Sequence, residues 1–500
     1  MRARRATQTS HRPIAPLRSV GSILVGTTLL AGIACARLGT ATGQREATPP
    51  TGHPITAIVG ATVIHPERDE AAAVAPDTTL VIEGERIRAV GPRESVAVPA
   101  GATIVDGSGK WVVPGLVDGH VHFFQSGNLY TRPDVADFHA VVPYAAEVAR
   151  NRARLPATFV VWLASGVTGV VDVGGPMWNF EVRDAARANP LAPIVKVAGP
   201  LVSMIDRPQL DLGDPPIIRA ASADEARALV ARELARQPDY VKVWFIHDSG
   251  DDLAAQSVIV KAAADAAHAA GVPLAVHATE RVTAKAALRC GADYLVHSVE
   301  DEPVDAEFLA LAKQRHALYC PTLFVGSGYD YALSNRWRPT DAESRLADPR
   351  ILASMRDLDR MPTEKIPDRV RKYMARSGPI DVPRVLLDNL RAVRDAGIPI
   401  VMGTDAGNIG TLHGPSVYRE MALMERAGLS RLEVLRSATT HGARALRMEG
   451  EVGAIRPGMI ADLVVADANP LDDLANLSRA WRVVKDGRFH DPRELMAALD

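Results

Sequence analysis

Between residue 114 and about residue 445, short apolar runs of strand length alternate with longer stretches in which apolar residues recur at helical spacing. Eight short runs can be drawn, at 112–122, 167–174, 194–202, 239–246, 273–278, 293–298, 318–324 and 399–404. The helices between them are punctuated. Ser222-Ala223-Asp224-Glu225 reads as a capping box opening a helix over 223–237, and Gly271 and Gly397 stand where the helices over 257–270 and from Pro383 should stop. After each stop the chain repeats itself, with Ala270-Gly271-Val272-Pro273-Leu274 matched by Ala396-Gly397-Ile398-Pro399-Ile400. Helix, glycine and short strand in repetition indicate an α/β fold with parallel strands. Eight such strands favour a closed (β/α)8 TIM barrel over an open doubly wound sheet.

The flanks have another texture. Residues 55–113 hold short β-prone runs separated by Gly84-Glu85, Gly91-Pro92 and Gly107-Ser108-Gly109, and a similar texture returns over 449–490. The two flanks can form one small sheet domain around the barrel at 114–448, leaving 491–500 as a C-terminal tail. One connection is far too long. Residues 327–382 form an insertion rich in charge and carrying Tyr329, Tyr331 and Trp337, and long insertions of this kind usually cover a site.

Composition adds exclusions. The 57 basic and 59 acidic residues leave a formal charge of −2, which gives no electrostatic reason to expect nucleic acid as a partner. The N-terminus departs from this balance, with five arginines before an apolar run at 20–36 and small residues after it. That order predicts a leader over 1–43, a flexible linker over 44–54 and export to the periplasm or cell envelope. Cys35 offers lipid anchoring as the alternative to cleavage. Beyond it only Cys290 and Cys320 remain, which excludes a disulfide scaffold.

The chemistry gathers where a barrel enzyme keeps its site, at strand C-terminal ends. The first strand ends in Asp118-Gly119-His120-Val121-His122, and residues two apart on a strand point to one side. Paired neutral imidazoles chelate zinc-like ions, although such a pair alone is weak evidence. Three more apolar runs end in a residue that can ligate metal: Val276-His277, Val296-His297 and Thr404-Asp405. Satisfied core histidines would not choose strand ends repeatedly. Lys242, inside Tyr240-Val241-Lys242-Val243-Trp244, is costly to bury unless it is paired with Asp405 or Glu300 or is chemically altered.

With Val113-Pro114-Gly115-Leu116-Val117 before the histidine pair, Thr404-Asp405-Ala406-Gly407 after strand eight and Gly458-Met459-Ile460-Ala461-Asp462-Leu463 near the end, the chain resembles the amidohydrolase superfamily, in its imidazolonepropionase-like and prolidase-like branch. The resemblance covers about residues 55–490. It implies a small β-sandwich beside the barrel and two divalent metal ions, with zinc foremost. It implies one ion held by His120, His122 and Asp405, a second by His277 and His297, and a carboxylated Lys242 bridging them. Asp405 would serve as general base on a metal-activated hydroxide. Tyr130, Arg132 and His413 are candidates for contact with a small-molecule substrate, Arg132 through its planar fork. The leading expectation is hydrolysis of an amide, in a dipeptide or N-acyl amino acid. A cyclic amide, lactone or organophosphate ester hydrolase uses the same ligands, and a non-catalytic metal-binding scaffold is the reading from another class. Barrels of this kind also associate, so a homo-oligomer is compatible with the sequence.

Overall fold

The computed structural model describes residues 53–499. The expected leader, almost all of the expected linker and Cys35 lie outside the described residues. The described chain is a mixed α/β fold. Leu116–Val121, Val167–Asp172 and Ile194–Val197 form a three-stranded parallel sheet. A six-stranded parallel sheet runs in the order Ile217–Arg219, Leu201–Ser203, Val241–Trp244, Leu274–His277, Tyr294–Val296, Leu318–Cys320. Most of these strands are buried along their length and rich in valine, as parallel strands covered on both faces must be. Helices supply the crossovers. Leu253–Ala269 starts on the Asp252 carboxylate, which accepts from the N–H groups of Ala254 and Ala255, and Arg281–Cys290 ends at Gly291 in the left-handed region. The box expected at Ser222 is half formed. Ser222 Oγ accepts from Glu225 N, whereas the Glu225 carboxylate reaches Ala221 N.

Single parallel bridges continue the pairing beyond the named strands, at Ala198↔Tyr240, Tyr319↔Ile400 and Val121↔Ala406. The eighth expected strand, 399–404, is therefore bonded on both sides without being a regular strand. Tyr319 N donates to Pro399 O and Val401 N to Tyr319 O on one side, while Gly119 N donates to Met402 O and Asp405 N to His120 O on the other. Its irregularity has a local cause. Asp405 has φ +60°, and the chain at Gly403 passes so close to its neighbours that a Cβ would lie 2.4 Å from Cys320 Sγ.

Both chain ends meet in one eight-stranded sheet. The C-terminal Leu463–Ala466 lies antiparallel to Trp111–Pro114, which in turn runs parallel to Ile55–Ile64. The expected first strand at 112–122 is thus two strands, Trp111–Pro114 in this sheet and Leu116–Val121 in the parallel one. The sheet is branched: Ile55–Ile64 pairs with Val74–Glu83 and Trp111–Pro114 along the main order and also with Thr103–Asp106, which lies off it. The expected tail contains a helix, Pro492–Ala497, capped by Asp491 and packed on Leu155–Ala164.

The long insertion is not loop. It holds Asp341–Leu346, Pro349–Ser354 and Asp368–Met374 as short helices, after Val325–Leu333. Trp337, Leu346, Met355, Leu358 and Val370 are buried there, most of them in an apolar cluster shared with Leu129, Tyr130, Ile409 and Leu412. Glu343, fully buried, completes a capping box with Thr340 and is held by both Nε and Nη2 of Arg419. Among the described residues no helix is long and apolar enough to cross a membrane.

The strand that ends in the two histidines is wedged by Gly119. A Cβ there would lie 2.4 Å from Val401 Cγ1 and 2.5 Å from Tyr294 Oη. Gly119→Ala is expected to cost about 1–3 kcal/mol through overpacking, read as a lower denaturant midpoint; an unchanged midpoint would contradict this packing.

Candidate metal centre

Five of the six candidate ligands stand at or next to the end of a parallel strand, and Lys242 lies within Val241–Trp244, so the folding of the sheets itself assembles the group. His120 and His122 leave Leu116–Val121 on one side of the strand, and Asp405 follows the eighth segment. His120 Nε2 lies 3.3 Å from His122 Nε2, and Asp405 Oδ1 lies 3.3 Å and 3.2 Å from those two nitrogens. All three residues are buried, and Asp405 Oδ1 has no hydrogen-bond partner. His122 Nδ1 is 2.7 Å from Gly174 O, so that nitrogen carries the proton and Nε2 keeps a bare lone pair. Burial, reinforced by the Lys242 charge, holds His120 well below the usual imidazole range, which favours its neutral form. His120 Nδ1 is left without a partner.

His122 Nε2 and Asp405 Oδ1 are both acceptors, and with His120 Nε2 they make a group that a cation between them would stabilise. A tetrahedral zinc-like ion with ligand distances of about 2.0–2.1 Å sets its donor atoms roughly 3.4 Å apart. The observed 3.2–3.3 Å separations match that spacing. The residues present therefore fit a divalent cation.

A second pair adjoins them. The rings of His277 and His297 are 4.4 Å apart, His297 is 4.7 Å from His120, and His297 Nε2 is 3.9 Å from Asp405 Oδ2. Burial lowers the pKa of both, so both are neutral donors. Thr322 Oγ1, 2.7 Å from His297 Nδ1, fixes the orientation of that ring. Lys242, 1% exposed, faces the same space and has no hydrogen bond or ion pair among the described residues. The expected alternatives of a salt bridge to Asp405 or Glu300 are not formed. Burial depresses the Lys242 ammonium to about 7 against the pull of Asp405.

These groups floor a cavity of about 780 Å³ that also touches Trp244, Arg132, Tyr329 and Asn408. Backbone strain concentrates at it. His297, Thr322 and Asp405 have φ of +78°, +44° and +60°, conformations that cost non-glycine residues of the order of 1–3 kcal/mol each.

The three expected substrate contacts separate. Arg132 lines this cavity, but its Nε and Nη2 hold Asp134 and its Nη1 holds Asn408 and Tyr329. Tyr130 and His413 line a different cavity of about 550 Å³ behind the histidine pair. Tyr130 Oη donates to Asp357, and His413 Nε2 donates to the carbonyl of His122 at 3.1 Å while its ring stacks on Phe123. His413 thus positions a candidate ligand from behind.

Several supporting residues escaped the sequence reading. Asp118, fully buried and pushed up to about 7 by desolvation, accepts from His120 N, Thr404 N and Thr404 Oγ1, stitching the two ligand-bearing segments together. Asp172 does the same for Phe123 N, Gly174 N and Asn179 Nδ2. Neither is a ligand, so a search for ligands passes over both.

Residues 347–489 match the Amidohydrolase family. The chain is 27% identical over 432 residues to an imidazolonepropionase of Streptomyces avermitilis, spanning 81% of this chain and 86% of that protein. It superposes on an Xaa-Pro dipeptidase crystallised with methionine in its active site, with TM-score 0.65 and 22% identity, over 87% of this chain and all of that one. A prolidase complexed with N-methylphosphonate-L-proline aligns with TM-score 0.64 and 26% identity, over 87% and 99% of the two chains.

The hydroxyl of Thr322 gives the first test. Thr322→Val is expected to weaken divalent-metal binding by about 10–100-fold in a chelator competition with the fold intact; wild-type affinity would mean that His297 does not need this contact.

Proposed function

Since the chain belongs to the amidohydrolase superfamily and is a hydrolase of that family, we propose that it cleaves amide bonds in dipeptides or N-acyl amino acids with two divalent cations, zinc foremost, at the strand-end cluster. The observation that carries this reading is the convergence of His120, His122 and Asp405, three buried ligand-type side chains with atoms 3.2–3.3 Å apart and no hydrogen-bond partner for Asp405 Oδ1. His277, His297 and Lys242 line the same cavity and suit a second cation. The three parallel bridges at Ala198, Tyr319 and Val121 support reading the parallel strands as a closed (β/α)8 barrel, with the sheet from both chain ends as a separate domain. The basic and then apolar N-terminus supports export to the periplasm or envelope.

Divalent cations held there would lower the pKa of a water molecule towards neutrality and polarise the scissile carbonyl. The remaining work falls to side chains. Asp405 takes a proton from the attacking water and returns it to the leaving nitrogen as the C–N bond breaks. The rigid Nδ1 contacts of His122 and His297 keep their Nε2 lone pairs aimed inward. Lys242, its ammonium depressed to about 7 by burial, has an uncharged fraction near neutral pH that can add its Nζ lone pair to carbon dioxide and release one proton. The resulting carbamate is an anion that a neutral buried amine could not supply. The prolidase complex, in which a phosphonate is joined to proline, supports an amide of an amino acid as the substrate class. A carbamate on Lys242 and the pair of histidines would serve a lactone or phosphoester equally well, so substrate screening must include both.

Asp405→Asn is expected to keep metal content near wild type while kcat falls about 10²–10⁴-fold, measured by metal analysis beside dipeptide hydrolysis. Full turnover would remove Asp405 from the proton path. Protein supplied with ¹³C-bicarbonate should show one carbamate carbon by NMR that is lost in Lys242→Ala; a spectrum without it would overturn the bridging role.

A further inference from the structure

The cavity above the metal cluster is bounded on one side by the insertion. Within it the helix Asp368–Met374 is anchored by Val370, and the adjoining Ile366 is buried with it in the insertion's apolar cluster. That anchoring turns Arg369 and Tyr373, four residues apart and therefore on one face, towards the cavity. The nearby carboxylates are already engaged, Asp368 by Arg371 and Asp330 by Arg376 at 3.2 Å. Arg369 itself has no hydrogen bond or ion pair with any described residue. The other two arginines at the cavity differ. Arg132 has its donors occupied by Asp134, Asn408 and Tyr329. Arg207 lies 4.9 Å over the Trp244 ring and 3.7 Å from Asp134, sharing the carboxylate that Arg132 already holds. Two carboxyl groups at the cavity also lack an ion-pair partner, Asp206 and Glu300. Burial, with Glu280 and Asp301 nearby, raises the Glu300 pKa and so favours its uncharged form.

We propose that Arg369 is the anchor for a free carboxylate on the substrate, so that the insertion selects amides of amino acids with an unblocked carboxyl group. The proposal deepens the hydrolase reading and rests on it for the word substrate. A planar guanidinium presents two parallel N–H groups to a carboxylate, a match that an ammonium cannot reproduce. Arg369 is exposed at the edge of this concave site with the nearby carboxylates taken up elsewhere, so its guanidinium is free to meet a carboxylate that enters the cavity. Arg132, the arginine that the sequence favours for this role, is a structural strut between Asp134 and Asn408.

The test uses the metal-loaded full chain and two non-hydrolysable probes, N-methylphosphonate-L-proline and its carboxamide, with affinity measured by calorimetry. Wild type is expected to prefer the acid by about 10–100-fold, the range for hydrogen bonds to a charged group. Arg369→Ala is expected to lose that preference by weakening the acid alone, and Arg369→Lys to recover part of it. The proposal is overturned if wild type binds the acid no better than the carboxamide. It is equally overturned if Arg369→Ala leaves acid binding unchanged, or if both probes weaken together. Acid preference in a wild-type protein that hydrolyses no amide would remove the hydrolase reading and leave the anchor standing.

Discussion

Two imidazole nitrogens and a carboxylate oxygen crowd around one point, and the architecture around residues 118–122 and 401–406 is what holds them there. His120 and His122 cannot splay, because the strand that carries them is bonded on both sides. Asp405 cannot retreat, because its N–H is held by His120 O at 2.7 Å and its turn by Asp118 through Thr404. In a low-dielectric interior this arrangement is unfavourable on its own and becomes favourable with a cation at its centre. Affinity for a cation would in this sense be preorganised by strand pairing.

The strain at His297, Thr322 and Asp405 belongs to the same economy. These residues leave regular strand geometry at the point where the sheet ends; His297 and Asp405 line the cavity floor, and Thr322 sets its hydroxyl against His297 Nδ1. Buried carboxylates then fix the backbone rather than the chemistry. Asp118 and Asp172 each gather three N–H or O–H donors, and their elevated pKa values reflect burial outweighing those contacts. Behind them His413 presses on the carbonyl of His122. The centre therefore has two tiers, one facing the cavity and one bracing it.

Much of the first tier was legible in the chain, for a physical reason. A polar residue that ends an apolar strand is visible in sequence, and five of them in order imply convergence once strand ends are taken as neighbours. Lys242 was conspicuous because a lone ammonium in a valine-rich strand has no cheap explanation. The second tier was not legible. Thr322, Asp118 and Asp172 act through partners 25 to 286 positions away, and nothing local marks them. Loop residues were misjudged for the converse reason: Arg132 looks available in sequence, yet its partners Tyr329 and Asn408 come from distant segments. The helix at Pro492–Ala497 and the helical insertion show the same limit, since docking depends on surfaces that the sequence does not display.

The most direct measurement is anomalous diffraction at the absorption edge of the metal present in crystals of the loaded protein. A peak within coordination distance of His120 Nε2, His122 Nε2 and Asp405, with a second beside His277 and His297 and density joining them at Lys242 Nζ, is the predicted result. Loaded crystals with no peak among these six side chains, or with the histidines rotated towards solvent, would contradict the account.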